Sequence, residues 1–176
     1  KNPDKAPEMA NKQKNDSLLC IVYGALGEYS ANIDADYYQA IRYLYKGIEL
    51  AQQKRNRRQY GLMLSQLANT YYLKRDGGGL KYALESYELG CELNDSYLIY
   101  SGAIQSAYMY FLNKQHTQAM AYVQEAETLM KKNNFYDQAH TFNLLGQLLY
   151  ELGNYPQAIE YYRKAMKDKQ TSQTSS

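Results

Sequence analysis

Tryptophan is absent from this 176-residue chain, and phenylalanine (3), proline (3), cysteine (2) and histidine (2) are scarce. Each shortage excludes something. Cys20 and Cys91 stand far apart in sequence, with no CxxC and no Cys/His cluster. A zinc site and a redox pair are therefore not expected, and the two read as lone small hydrophobes. His116 and His140 are also well separated, with no second ligand one helical turn away, so no metal and no cofactor is expected. Neither sign of charge is in excess: 20 Lys+Arg against 18 Asp+Glu leave +2. That is too little for a general pull toward nucleic acid or an anionic membrane. No apolar run approaches the roughly 18 residues that span a bilayer.

What is present is a globular composition, 45% hydrophobic and 22% charged. It carries one oddity, 21 tyrosines against 3 phenylalanines. A chain of this length buries about 70% of its unfolded surface and needs no staples. Residues 1–16 read as a flexible polar leader and residues 169–176 as a polar tail. The first residue is Lys1, not Met, so the chain is processed or trimmed. With the polar leader, that leans toward an exported or periplasmic protein over a cytoplasmic one.

Between the ends the chain repeats itself. Ala40, Ala83, Ala119 and Ala158 each precede, by seven residues, another small residue: Gly47, Gly90, Ala126 and Ala165. Upstream of each pair lies a third, Gly27, Ala68, Ala107 or Gly146, and these recur at a nearly constant interval. Small residues belong where two antiparallel helices cross closely. Large apolar residues flank them at helical spacing, as in Phe142, Leu145, Leu149 and Leu152. Asp36, Asn94–Asp95, Asp137 and Asn154 punctuate the pattern as caps, and Gly77–Gly78–Gly79 as a turn. The fold class is all-α, with eight helices near 17–33, 36–55, 57–75, 80–94, 96–114, 117–132, 136–152 and 155–168. They form one domain, 17–168, of four hairpins (17–56, 57–95, 96–134 and 135–168).

This pattern resembles the tetratricopeptide repeat (TPR) family. The last unit carries it most fully: Phe142-x-x-Leu145-Gly146-x-x-Leu149, Gly153-Asn154-Tyr155, then Ala158, Tyr162 and Ala165. The first unit has Tyr23-x-x-Leu26-Gly27 and Tyr37-x-x-Ala40. The family period is about 34 residues, and here it is about 39–41. The chain is thus similar to the long-period variants of bacterial regulators and adaptors. The resemblance implies an α-α superhelix whose concave groove is lined by the first helix of each hairpin. Carried onto this sequence, the lining is Ile21, Gly24, Glu28 and Ala31, then Leu62, Ser65, Asn69 and Tyr72. It continues with Ser101, Ile104, Tyr108 and Phe111, then His140, Asn143, Gln147 and Tyr150. The family's chaperone-adaptor members hold a carboxylate with Lys, Arg and Asn at such positions. The set here has no Lys or Arg, so that partner is not expected. The candidate binding residues are Glu28, Asn69, Tyr72, Tyr108, Phe111, His140, Asn143, Gln147 and Tyr150. Amides and rings of this kind suit an extended peptide.

Other signals read as structure. Lys54–Arg58 ends one helix and begins the next. Arg75–Lys81 lacks the spacing of a phosphate loop. Tyr43, Tyr122 and Tyr161 recur on the second helices, where packing is expected over an exposed patch. No catalytic constellation emerges. The expectation is a non-catalytic TPR scaffold for a protein or peptide partner. The alternative is a ligand-sensing or dimerising region of a larger bacterial regulatory protein. No capping helix follows residue 168, so the last hairpin awaits further chain, a second copy docked as a homodimer, or its own long helices curling over the end.

Overall fold

The computed structural model describes residues 16–133 and 138–174. It comprises α1 (Asp16–Asn32), α2 (Tyr37–Gln53), α3 (Arg57–Leu73), α4 (Leu80–Leu93), α5 (Ser96–Leu112), α6 (His116–Asn133), α7 (Gln138–Glu151) and α8 (Tyr155–Thr174). A single 3-10 turn, Gly77–Gly79, precedes α4. Among the described residues there is no strand. The eight helices lie within a few residues of their expected positions. The last differs: α8 runs through Thr174, past the expected end at 168 and into the expected polar tail. The stretch after residue 166 contains no Gly or Pro to stop it. The expected leader, apart from Asp16, and the expected cap Asp137 lie outside the described residues.

Local chemistry sets the boundaries. Asp36, Asn56 and Asp95 accept hydrogen bonds from the main-chain N–H groups of Gln39, Gln59, and Tyr97 with Leu98, which caps α2, α3 and α5. Asp76 accepts from Gly78 N–H and shapes the glycine turn. The helices end on single left-handed residues, Ala35, Arg55, Arg75, Asn94, Lys114 and Gly153. Only Gly153 adopts that conformation without a Cβ penalty. Arg55, Arg75 and Lys114 place cations beside the carbonyl ends of α2, α3 and α5, where the helix dipole favours them.

All twelve small residues of the repeat are buried. Eight large side chains are nearly or wholly removed from solvent: Leu44, Leu64, Leu67, Leu98, Met109, Met130, Leu144 and Leu148. The small residues let the backbones meet. At the α4–α5 crossing a Cβ on Gly90 would lie 2.6 Å from Ile99 N, and one on Gly102 would lie 2.6 Å from Tyr87 N and Cα. Successive odd helices lie against one another, α1 on α3, α3 on α5 and, over a shorter stretch, α5 on α7. Successive even helices do not approach one another in this way among the described residues. The stack therefore curves, with the odd helices inside.

Tyrosines fill the wider outer gaps. Tyr45 and Tyr82 join α2 to α4 through their hydroxyls at 2.7 Å. Tyr87 donates to both carboxylate oxygens of Glu125 at 2.9 Å, joining α4 to α6. Tyr122 meets the Tyr87 ring edge-on at 5.2 Å and stacks on Tyr110 at 5.5 Å. Tyr43 is buried, and Tyr161 packs beside Phe142. The outer tyrosines are thus packed rather than gathered into a patch. The last hairpin differs. Tyr155, part of the family motif, is 55% exposed, and Ile159 and Met166 continue an exposed stripe along α8.

The crossing gives a stability test. Gly102→Ala should lower stability by about 1–3 kcal/mol, because backbone rather than a side-chain tip blocks the new methyl. Gly24→Ala meets only the ends of Gln66 and Met63. There the roughly 1 kcal/mol gain in helix propensity should offset the clash. Urea unfolding of the two variants measures the contrast.

Candidate functional site

Two clefts stand out, one on each side of the stack. The outer cleft, about 640 Å³, lies between the end of α2, the start of α3 and α4. Its polar groups are largely matched to one another: Arg57 pairs with Glu92, and Tyr60 donates to Glu85. Arg58 beside it pairs with Asp95. The basic run Lys54–Arg58 is thus used in ending α2 and tying α3 to α4 and to the start of α5.

The inner cleft, about 590 Å³, is built by one stripe from each of three odd helices. α1 contributes Ile21, Gly24, Ala25, Glu28 and Asn32. α3 contributes Gln59, Leu62, Met63, Ser65, Gln66 and Asn69. α5 contributes Tyr97, Tyr100, Ser101, Ile104 and Gln105. Spacings of three and four residues put each set on one helical face. The Ser65 and Ser101 hydroxyls meet at 2.6 Å and fasten α3 to α5 within it. Glu28 is its sole Asp, Glu, Lys, Arg or His, and the rest of its polar surface is amide and hydroxyl.

The structure divides the expected site residues. Glu28 and Asn69 line the inner cleft, as do Ile21, Gly24, Leu62, Ser65, Ser101 and Ile104 from the broader expected lining. Tyr72 and Tyr108 do not. Their rings meet at 4.5 Å, and Tyr108 is only 5% exposed. Phe111 packs against the core and stacks on His116 at 5.8 Å. Ala31 is buried too. The reason is the repeat register. Tyr108 stands one repeat after Asn69. A ring at that register fills the space between α3 and α5 instead of leaving it open. On α7, Asn143 and Tyr150 are exposed and Gln147 is half-buried, but none joins the cleft of α1, α3 and α5. Tyr150 meets Tyr155 edge-on at 5.3 Å. His140 lies on α7, and its side chain is outside the described residues.

The family pattern passes over eight residues that line the cleft: Ala25, Asn32, Gln59, Met63, Gln66, Tyr97, Tyr100 and Gln105. One signal could have found two of them, since Gln66 and Gln105 are one repeat apart. Among the described residues no three of His, Cys, Asp and Glu gather as metal ligands would. Cys20 and Cys91 are not joined by a disulfide; the first is buried and the second exposed. No helix among the described residues is long and apolar enough to cross a membrane.

A model of the tetratricopeptide repeat matches residues 99–170. No protein with a curated description matches the sequence. Solved structures share the fold. BtubC (BKLC) from P. vanneervenii is 14% identical, with a TM-score of 0.68 over 90% of this chain and 66% of that one. A signal transduction ATPase with numerous domains and a TPR sensor, from Pyrococcus horikoshii, is 19% identical, with a TM-score of 0.66 over 95% of this chain and 29% of that one. A Rap protein complexed with competence and sporulation factor is 16% identical, with a TM-score of 0.68 over 92% of this chain and 51% of that one. The chain therefore spans from less than a third to about two-thirds of the length of these proteins. At these identities the likeness is one of fold.

The outer contacts also set a pH response. Burial first, and then the Glu85 carboxylate, push the Tyr60 phenol up to about 12. Tyr82 and Tyr87 are raised as well, each by burial first and then by its hydroxyl partner, Tyr45 or Glu125. Above pH 10, the ordinary tyrosine value, the folded chain keeps protons that the unfolded chain has lost. Stability from these groups is full below that value and falls as pH rises toward 12. Urea midpoints at rising pH should drop over this window, less steeply in Tyr60→Phe. An identical slope in wild type and variant would show that Tyr60 takes no part in the response.

Proposed function

We propose that this chain, a tetratricopeptide-repeat solenoid, is a non-catalytic module that binds an extended peptide or protein segment across α1, α3 and α5. One observation carries the reading. The inner cleft is rich in amides and carries a single charge, Glu28, whereas in the outer cleft Arg57 is paired with Glu92 and Tyr60 with Glu85. Apolar Ile21, which is exposed, and the partly buried Leu62 give such a segment side-chain contacts, and Asn32, Gln59 and Asn69 give it hydrogen bonds. Glu28 as the only formal charge argues against nucleic acid, which needs a cationic surface. It argues equally against a carboxylate-terminated partner, which needs charge-assisted donors. The Rap protein, whose solved complex holds competence and sporulation factor, shares the fold and supports the reading by analogy.

A second reading, a sensing or self-associating region of a larger regulator, draws on the TPR sensor of the P. horikoshii ATPase and on the exposed α8 stripe of Tyr155, Ile159 and Met166. We assign that stripe to a second copy of this chain. Concentration-dependent sedimentation that is abolished by Ile159→Glu supports it, and a monomer at every concentration rejects it.

The groove is tested by panning a random peptide display library on the chain and measuring the selected peptides by calorimetry. Ala25→Trp fills the cleft from an exposed position on α1, and Asn69→Ala removes a lining amide. Each should weaken binding by about tenfold or more with little change in thermal stability. Peptides that bind both variants as they bind the wild type would place the site elsewhere.

A further inference from the structure

Among the described residues three buried side-chain polar atoms lack a hydrogen-bond partner, and two of them belong to the inner cleft: Gln66 Oε1 on α3 and Gln105 Oε1 on α5. Orphaned buried acceptors are uncommon in folded proteins. These two are related by the repeat, so they hold the same register on neighbouring inner helices. Neither amide is occupied in building the fold. The loops and caps draw on other residues, and the α3–α5 tie is the Ser65–Ser101 hydroxyl pair. Gln66 has space made for it: a Cβ on Gly24 would come within 2.7 Å of its Oε1 and 3.4 Å of its Nε2. The glycine lets the carboxamide lie flat against α1.

A carboxamide carries two donors on one edge and an acceptor on the other, and rotation about its last side-chain bond exchanges them. A peptide group in an extended chain has the same complement, one donor and one acceptor. Two carboxamides in matched register are therefore suited to main-chain peptide groups, whichever way each is turned. The cleft offers no cation to an acidic side chain. Its one carboxylate, Glu28, lies on the α1 side.

We propose that Gln66 and Gln105 clamp the main chain of an extended peptide laid across α1, α3 and α5, and that Glu28 takes a positively charged group of that peptide, its free amino terminus or a Lys or Arg side chain. The inference rests on the groove reading above and adds to it what the groove recognises: backbone at α3 and α5, a cation at α1. Recognition through the backbone tolerates varied side chains at the clamped positions, so selected peptides should share a position for a cation more than a sequence.

The test uses a synthetic peptide selected from the display library, with each main-chain amide replaced in turn by an ester. The ester has no N–H and is a poorer acceptor. Esters at two positions should each weaken binding by up to about tenfold. The first loss should vanish in Gln66→Met and the second in Gln105→Met, variants that keep side-chain volume without the amide. Removing the peptide's positive charge should weaken binding to wild type but not to Glu28→Gln. A peptide that is blocked by Ala25→Trp yet indifferent to the esters, or equally sensitive to them in both Met variants, overturns the clamp and leaves the groove standing. If no selected peptide is blocked by Ala25→Trp, both fail.

Discussion

The close crossing of helices at small residues is the constraint on which the rest of this molecule depends. Twelve Gly and Ala positions recur along the chain, and all are buried. At Gly90, one of them, and at the neighbouring Gly102 on α5, the facing backbone leaves no room for a methyl group. Close approach fixes the hairpins and lets the odd helices stack directly. The even helices, kept farther apart, are spanned by tyrosine side chains reaching for hydroxyl or carboxylate partners. Tyrosine suits that gap better than phenylalanine: its ring covers the seam and its hydroxyl is satisfied at the far end. Four of the chain's 21 tyrosines, Tyr45, Tyr82, Tyr87 and Tyr122, belong to this outer seam.

The same asymmetry makes the binding face. Inner helices that touch each other present one stripe apiece to a shared hollow. The outer cleft pairs Arg57 with Glu92 and Tyr60 with Glu85; the inner cleft leaves two amide oxygens unpaired. A surface with free hydrogen-bonding capacity and almost no net charge distinguishes ligands by shape and main-chain pairing rather than by long-range attraction. Its affinity should accordingly depend little on salt, except through Glu28.

Much of the fold was legible in the sequence, because small residues at a fixed period imply helices that cross closely, and polar caps mark the starts of α2, α3 and α5. The end of α8 was not: a polar composition suggested a tail, but residues 167–174 include no helix breaker. Of the family positions, Glu28, Asn69 and the serines line the inner cleft, since the first helices face inward whatever their side chains. Tyr72 and Tyr108 lie outside that lining, because a register that holds an amide open to the cleft in one repeat holds a ring folded onto its neighbour in the next. That outcome depends on side-chain volume across the α3–α5 gap, which no single repeat reveals. Gln66 and Gln105 were passed over because each looks like an ordinary surface amide; only the absence of a partner in three dimensions sets them apart.

Binding on the odd helices, rather than the even ones, is tested most directly by hydrogen-exchange mass spectrometry of the full chain with and without a display-selected peptide. The result expected is slowed exchange in α1, α3 and α5, centred on residues 21–32, 59–69 and 97–105, with α2, α4 and α6 unchanged. Protection confined to α2 and α4 around the outer cleft, or to the exposed stripe of α8, would contradict it.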